Sequence, residues 1–190
     1  MTPANEDHAA DRGALLVVRH AMPLVSPTTP PNTWHLSAEG RAAARALRHT
    51  LPRDARLFSS SEPKAWQTLG GSTQVARDDR FNEVSRPAEP WDGDYKELRR
   101  RYVASATQPG WEPPADAASR FQAGVSAATS GQHATDVPTV IATHGMVLTV
   151  WLVSIGAVPR QSAARFWSDL RFPDCLLVDL ASRRVRTYHL

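Results

Sequence analysis

Two histidines in this sequence each close an apolar run. His20 follows ALLVV and Arg19, and His144 follows VIAT and precedes Gly145. A third short run ends at Leu57-Phe58 and is followed by Ser59-Ser60-Ser61 and then Lys64. One histidine at the end of a strand is usually structural. Two of them, with an arginine beside one and a lysine near a third strand end, form a set that suits phosphoryl transfer. A phosphoryl group in transit carries charge on its equatorial oxygens, so catalysis is mainly positioning and electrostatic stabilisation. Arginine forks around such oxygens and lysine offers a point charge. A neutral imidazole with a free nitrogen can attack phosphorus and divide the reaction into two easier steps. The helix opening at Gly145 adds N–H groups and a positive dipole end, expected to face the phosphate.

These residues meet only if the chain folds to bring the strand ends together. Residues 14–18 read as a buried central strand. A Pro-rich loop, Pro23 to Pro31, follows it. Ser37 is a good N-cap for a helix over 38–50. Residues 55–58 form a second strand, and Pro63 suits the first turn of a helix to about Leu69. The stretch 84–136 offers two helical segments, about 95–107 and 115–129, read as a helical lid excursion off the sheet. A strand over 139–143, a helix over 145–155 and a C-terminal hairpin complete the chain. Alternating strands and helices predict an α/β fold: a three-layer α/β/α sandwich around a mostly parallel sheet. Ligands of such sheets bind beyond the carboxyl ends of the strands, where the two histidines stand.

Composition narrows the class. The 190 residues suit one domain over 14–190, preceded by a disordered tail over 1–13 that is polar and acidic and unlike a signal peptide. A chain this long buries a core without staples. A single cysteine, Cys175, excludes an intrachain disulfide and fits a cytoplasmic protein. The longest apolar stretch, Met146 to Val158, is too short to span a bilayer, so no membrane partner is expected. The net charge of +3 and pI of about 9.5 fit anionic substrates. The basic residues are scattered, which argues against nucleic acid. Arg99-Arg100-Arg101 reads as a solvated helix face. No Walker loop, dinucleotide fingerprint, nucleophile elbow or HExxH motif occurs. Nor do His8, His35, His49, His133 and His189 show ligand spacing, and they are expected to be exposed.

Five segments in order carry a resemblance. They are RHA at Arg19 to Ala21, LSAEGRAAA from Leu36, SSSEPKAWQT from Ser59 to Thr68, FNEV from Phe81 to Val84, and ATHGMVL from Ala142 to Leu148. Together they resemble the histidine phosphatase superfamily, the phosphoglycerate mutase-like group, in its glutamate acid/base branch. The resemblance runs from about residue 14 to the C-terminus. It implies the three-layer fold and a mechanism needing no metal and no cofactor. It puts His20 on the nucleophile and Arg19 on the phosphate-binding arginine. His144 falls on the second pocket histidine, a hydrogen-bond donor to the phosphoryl oxygens and cationic when phosphate is bound. Glu83 falls on the acid/base carboxylate. Lys64 falls where the family usually has a second arginine. Trp91-Asp92-Gly93 resembles the family's Trp-Glu-Gly turn, and Glu112 with Arg120 resembles a lid-helix pair.

Two departures bear on function. Lys64 cannot make an arginine's bidentate contact, which leaves Arg86 or one of Arg99 to Arg101 to supply another fork. Phosphoglycerate mutases carry an asparagine six residues after the nucleophile, and here that position is Ser26. The expected function is therefore metal-independent hydrolysis of a small phosphorylated metabolite through a phosphohistidine. The basic lid suggests a second acidic group on that metabolite. A mutase-type isomerase and a non-catalytic phospholigand-binding module are the alternatives. Oligomeric state stays open, with a homodimer among the options. Trp66 and Trp151 are expected in the core, and Trp34, Trp91 and Trp111 in loops or lid edges.

Overall fold

A computed structural model describes residues 15–87, 89, 94–130 and 137–188. The expected tail over 1–13, the Trp91-Asp92-Gly93 turn, and His8, His133 and His189 lie outside the described residues. Six strands form one sheet: β1 (Leu15–Arg19), β2 (Arg56–Ser59), β3 (Ala76–Arg77), β4 (Thr139–Thr143), β5 (Asp174–Asp179) and β6 (Arg184–Thr187). Their order is β3-β2-β4-β1-β5-β6. The first four are parallel, while β5 runs antiparallel to β1 and forms the terminal hairpin with β6. The expected fold class holds: an α/β fold on a mostly parallel sheet.

The strands sort their side chains by alternation, as the pleat requires. Leu15 and Val17 of β1 point into one core with Ile141, Leu176 and Val178, whereas Leu16 and Val18 point into a second with Val140, Ala142 and Cys175. Helices α1 (Ala38–Thr50) and α2 (Pro63–Thr68) cover the second core through Leu47 and Ala65. The first is covered by α3 (Tyr95–Val103), α4 (Pro114–Thr129), α5 (Gly145–Ser154) and α6 (Ala163–Asp169). β1 and β4 are buried on both faces, which explains their unbroken apolar runs. Each fully buried aliphatic side chain contributes about 1.5–3 kcal/mol.

The start of α1 is locally encoded. Ser37 Oγ accepts from Gly40 N–H at 2.9 Å. A Cβ on Gly40 would lie 2.0 Å from the Met22 carbonyl oxygen, so glycine lets the helix dock on the loop that leaves His20. Helix α5 is apolar all round because it is buried all round.

The stretch read as a lid excursion is divided by the structure. Helix α4 packs along α5 and buries Ala117, Phe121 and Val125, so its second helix is core rather than lid. The small residues of α4 allow that approach; a Cβ on Gly124 would fall 2.7 Å from Phe81. Trp151 is fully buried as expected, and Trp66 only partly. Trp111 lies in the loop between α3 and α4, as expected, and is buried against Tyr102.

Candidate active site

Strand register places the two histidines side by side. Arg19 pairs with Thr143 across β1 and β4, so His20 and His144 leave the same sheet edge together. Their rings stand 5.1 Å apart at 61°. The end of β2 joins them, because Ser60 N–H donates to Ala142 O at 2.9 Å.

Each imidazole is held in one tautomer. His20 Nδ1–H donates to its neighbour's carbonyl, Ala21 O, at 2.8 Å, which leaves the Nε2 lone pair available. For His144 a chain of bonds decides. The backbone N–H of Ser61 donates to Asn82 Oδ1, so that oxygen is an acceptor and Ser60 Oγ donates to it as well, at 2.7 Å. Ser60 Oγ must then accept from His144, whose Nε2–H donates at 2.8 Å. His144 Nδ1 is buried without a hydrogen-bond partner. Burial, then the positive charges of Lys64, Arg86 and Arg19, holds His144 well below the usual 6.5. Burial and the neighbouring His144 and Lys64 do the same to His20. Both rings are therefore neutral at neutral pH while the site holds no anion.

Arg19 is 8 % exposed, with its guanidinium carbon 3.5 Å above the centre of the Phe172 ring. It donates through Nη1 to Leu170 O, while its buried Nε has no partner. Burial lowers its pKa from 12.5 to about 10, against the pull of Glu83 and Asp174. Asp174 faces Arg19 in register across β1 and β5. The antiparallel direction of β5 is what starts that strand at the site's edge. Gly145 gives the guanidinium room, since a Cβ there would meet Arg19 Nε at 3.2 Å.

Lys64 is buried in the same cluster, 5 % exposed. Its ammonium forms a salt bridge with Glu62 and donates to Pro31 O at 2.7 Å. Burial pulls its pKa below the usual 10.5, against the carboxylate. Glu62 is a buried member of this cluster that sequence reasoning missed. Its Oε1 accepts from Glu83 N–H at 2.8 Å and lies 3.6 Å from His144 Nε2, so one buried carboxylate ties three site residues together. The signal was present as a glutamate between a serine run and Pro63-Lys64, but nothing local marks it as inward-facing.

Glu83 sits at the N-terminus of α5. Its carboxylate accepts from Val147 N–H at 2.9 Å, Met146 N–H at 3.3 Å and Val84 N–H at 3.0 Å. This corrects one expectation. Two of the N–H groups that the opening of α5 was expected to offer a phosphate are taken by Glu83, an equally natural anion for a helix N-terminus. The segment carrying Glu83 is clamped by Arg120, which donates through Nη1 to the carbonyls of Arg80 and Asn82 and pairs with Glu112. The Glu112–Arg120 pair is thus present.

The Arg99–Arg101 run is only partly a solvated face. Arg100 and Arg101 are exposed, whereas Arg99 turns inward onto Glu89 with two bonds of 2.6 Å. Arg86 reaches the same carboxylate at 2.9 Å. Ser26, where a mutase has asparagine, bonds Thr28 within its own loop. A cavity of ≈ 540 Å³ opens between that loop and Glu62, Glu83 and Arg86. Among the described residues, no group of three or more His, Cys, Asp or Glu side chains is placed to hold a metal ion, and no helix is long and apolar enough to cross a membrane.

The arrangement brings together an imidazole with a free lone pair, a second neutral imidazole, two cations and two carboxylates. Residues 15–172 match the model of the histidine phosphatase superfamily, branch 1. No curated protein matches the sequence. Solved structures do. A mycobacterial glucosyl-3-phosphoglycerate phosphatase complexed with VO3 is 22% identical with a TM-score of 0.70, over 92% of this chain and 96% of that one. A Thermus thermophilus protein is 26% identical with a TM-score of 0.61, over 93% of this chain and 99% of that one. A Bacillus stearothermophilus protein is 16% identical with a TM-score of 0.65, over 92% and 94%.

Proposed function

The chain belongs to branch 1 of the histidine phosphatase superfamily, and from that premise we propose that it is a phosphomonoester hydrolase using His20 as nucleophile. The observation that carries this reading is the His20 tautomer. With Nδ1–H bound to Ala21 O, the lone pair of Nε2 is left for attack, 5.1 Å ring to ring from a second neutral imidazole.

In the first step Nε2 of His20 forms a bond to phosphorus as the bond to the leaving oxygen breaks, and Glu83 gives that oxygen a proton. Arg19, Lys64 and a protonated His144 Nδ1 stabilise the charge on the equatorial oxygens. In the second step water attacks the phosphohistidine, Glu83 takes its proton, and the phosphorus–nitrogen bond breaks. Inorganic phosphate leaves and His20 is restored. No metal or cofactor is needed in this scheme. Hydrolysis is favoured over isomerisation because Ser26 is engaged within its own loop rather than with the cavity. The substrate is a small phosphorylated metabolite, consistent with the neighbouring cavity, and the enzyme works in the cytoplasm.

The test is phosphate release from p-nitrophenyl phosphate without added metal. His20→Ala should reduce it on the order of 10³-fold or more and remove acid-labile labelling of the protein. Release that survives the substitution excludes the mechanism. Interconversion of phosphoglycerates faster than phosphate release, with the bisphosphate primer present, would replace hydrolase by mutase.

A further inference from the structure

The cavity beside Glu83 adjoins the site where an alcohol would leave. Among the described residues its charged lining is Glu62, Glu83, Glu89 and Arg86. Arg86, Arg99 and Lys64, again among the described residues, each already have a carboxylate partner. Arg86 is bound to Glu89 Oε2 and to Val84 O. Arg99 is bound through two nitrogens to the same Glu89, and Lys64 to Glu62 and Pro31 O. The Glu89 cluster is largely enclosed, with side-chain exposures of 10 % for Glu89, 13 % for Arg86 and 22 % for Arg99. Withdrawing either guanidinium would leave a carboxylate short of its partner in a poorly solvated place. Glu89 accordingly has its pKa lowered by the two arginines, against its burial.

A leaving group with its own negative charge would thus face Glu83 and Glu89 and find no uncommitted cation among the described lining residues. A neutral one meets different chemistry. The Pro-rich loop offers the hydroxyl of Thr29 and the amide of Asn32, Ser85 offers another hydroxyl, and proline rings offer apolar faces. We infer that the substrate is the phosphomonoester of an uncharged, hydroxylated alcohol. This rests on the phosphatase reading and reverses the expectation, drawn from the basic lid sequence, of a second acidic group. The lid arginines are basic in sequence, but one points outward less than its neighbours and is neutralised where it points in.

Two probes separate the alternatives. Glycerol 3-phosphate and 3-phosphoglycerate share a three-carbon chain and differ in a hydroxymethyl against a carboxylate. Calorimetric binding to the His20→Ala variant should favour glycerol 3-phosphate at least about tenfold, and kcat/KM of the wild-type protein should lean the same way. Equal affinity, or tighter binding of the acid, overturns the inference. Glu89→Gln should release the two arginines and narrow the preference several-fold; a ratio unchanged in a folded variant also overturns it. Failure of the phosphatase reading looks different: no phosphate release from any ester, including p-nitrophenyl phosphate, whatever the binding ratio.

Discussion

His144 donates to Ser60 Oγ at 2.8 Å, and the direction of that bond is fixed by a backbone amide elsewhere, the N–H of Ser61 on Asn82. The ring therefore keeps its Nε2 proton for a structural contact and presents a bare Nδ1. To donate to a phosphoryl oxygen through Nδ1, His144 must first gain a proton. Burial among cations opposes that gain in the empty site, and an incoming dianion reverses the balance.

Binding of a dianion should accordingly be linked to proton uptake. Titration of tungstate, which carries no proton near neutrality, in buffers of different ionisation enthalpy at about pH 7.5 should report uptake of ~1 proton per site. His144→Gln should bring the uptake close to zero. Binding without uptake in the wild-type protein would remove the role given to Nδ1.

The same burial predicts acid sensitivity. His20 and His144 have folded-state pKa values below their unfolded value of 6.5, so the unfolded chain binds more protons as pH falls. Stability is greatest above about 6.5 and declines below it toward the lower folded-state values, by ~1.4 kcal/mol per pH unit for each histidine. Glu89 adds its own loss only below the usual carboxylate value of 4.5. Urea unfolding at about pH 7.5 and 5.5 should show the decline, and His144→Gln should flatten it. Equal slopes in wild type and variant would count against it.

Glu62→Gln should tighten anion binding. The amide can still accept from Glu83 N–H, but Lys64 loses its counter-ion and is freed for the phosphate. Inhibition by inorganic phosphate should strengthen about tenfold, equivalent to ~1.4 kcal/mol. Lys64→Met should weaken it, and Glu62→Gln placed on Lys64→Met should have a smaller effect than alone. Weaker inhibition in a folded Glu62→Gln would show that Glu62 serves only to position Lys64.

Gly145→Ala tests the seat of Arg19. The added methyl would stand 3.2 Å from Arg19 Nε and 3.1 Å from Trp167 Nε1. Displacing the guanidinium should raise KM several-fold, with destabilisation of about 1–3 kcal/mol from crowding. Steady-state kinetics and denaturant melts on one sample separate the two. An unchanged KM would place Arg19 outside the phosphate site.

Much of the frame is legible locally. β1 and β4 appear as unbroken apolar runs because both faces are covered, and α1 begins where Ser37 caps it. β3 is only two residues long and α6 seven, too short for a pattern to stand out. Helix α4 looked like an excursion because sequence order separates it from α5, the helix it packs on. Asp174 is illegible because Arg19 is brought to it by strand pairing, whereas Glu62 stands two residues from Lys64 but owes its burial to the packing of segments distant in sequence.

The sequence by itself determined most of the elements and the rule for finding the site, since apolar periodicity and capping are local and active residues follow strand ends. That rule named Arg19, His20, Lys64 and His144, and the resemblance carried by FNEV added Glu83. Only the tertiary structure decided what those groups face. Register set His20 beside His144, packing gave the α5 N-terminus to Glu83, and burial coupled Lys64 to Glu62. Charge balance and proton position depend on distances between segments far apart in the chain, and those distances exist only once the sheet is assembled.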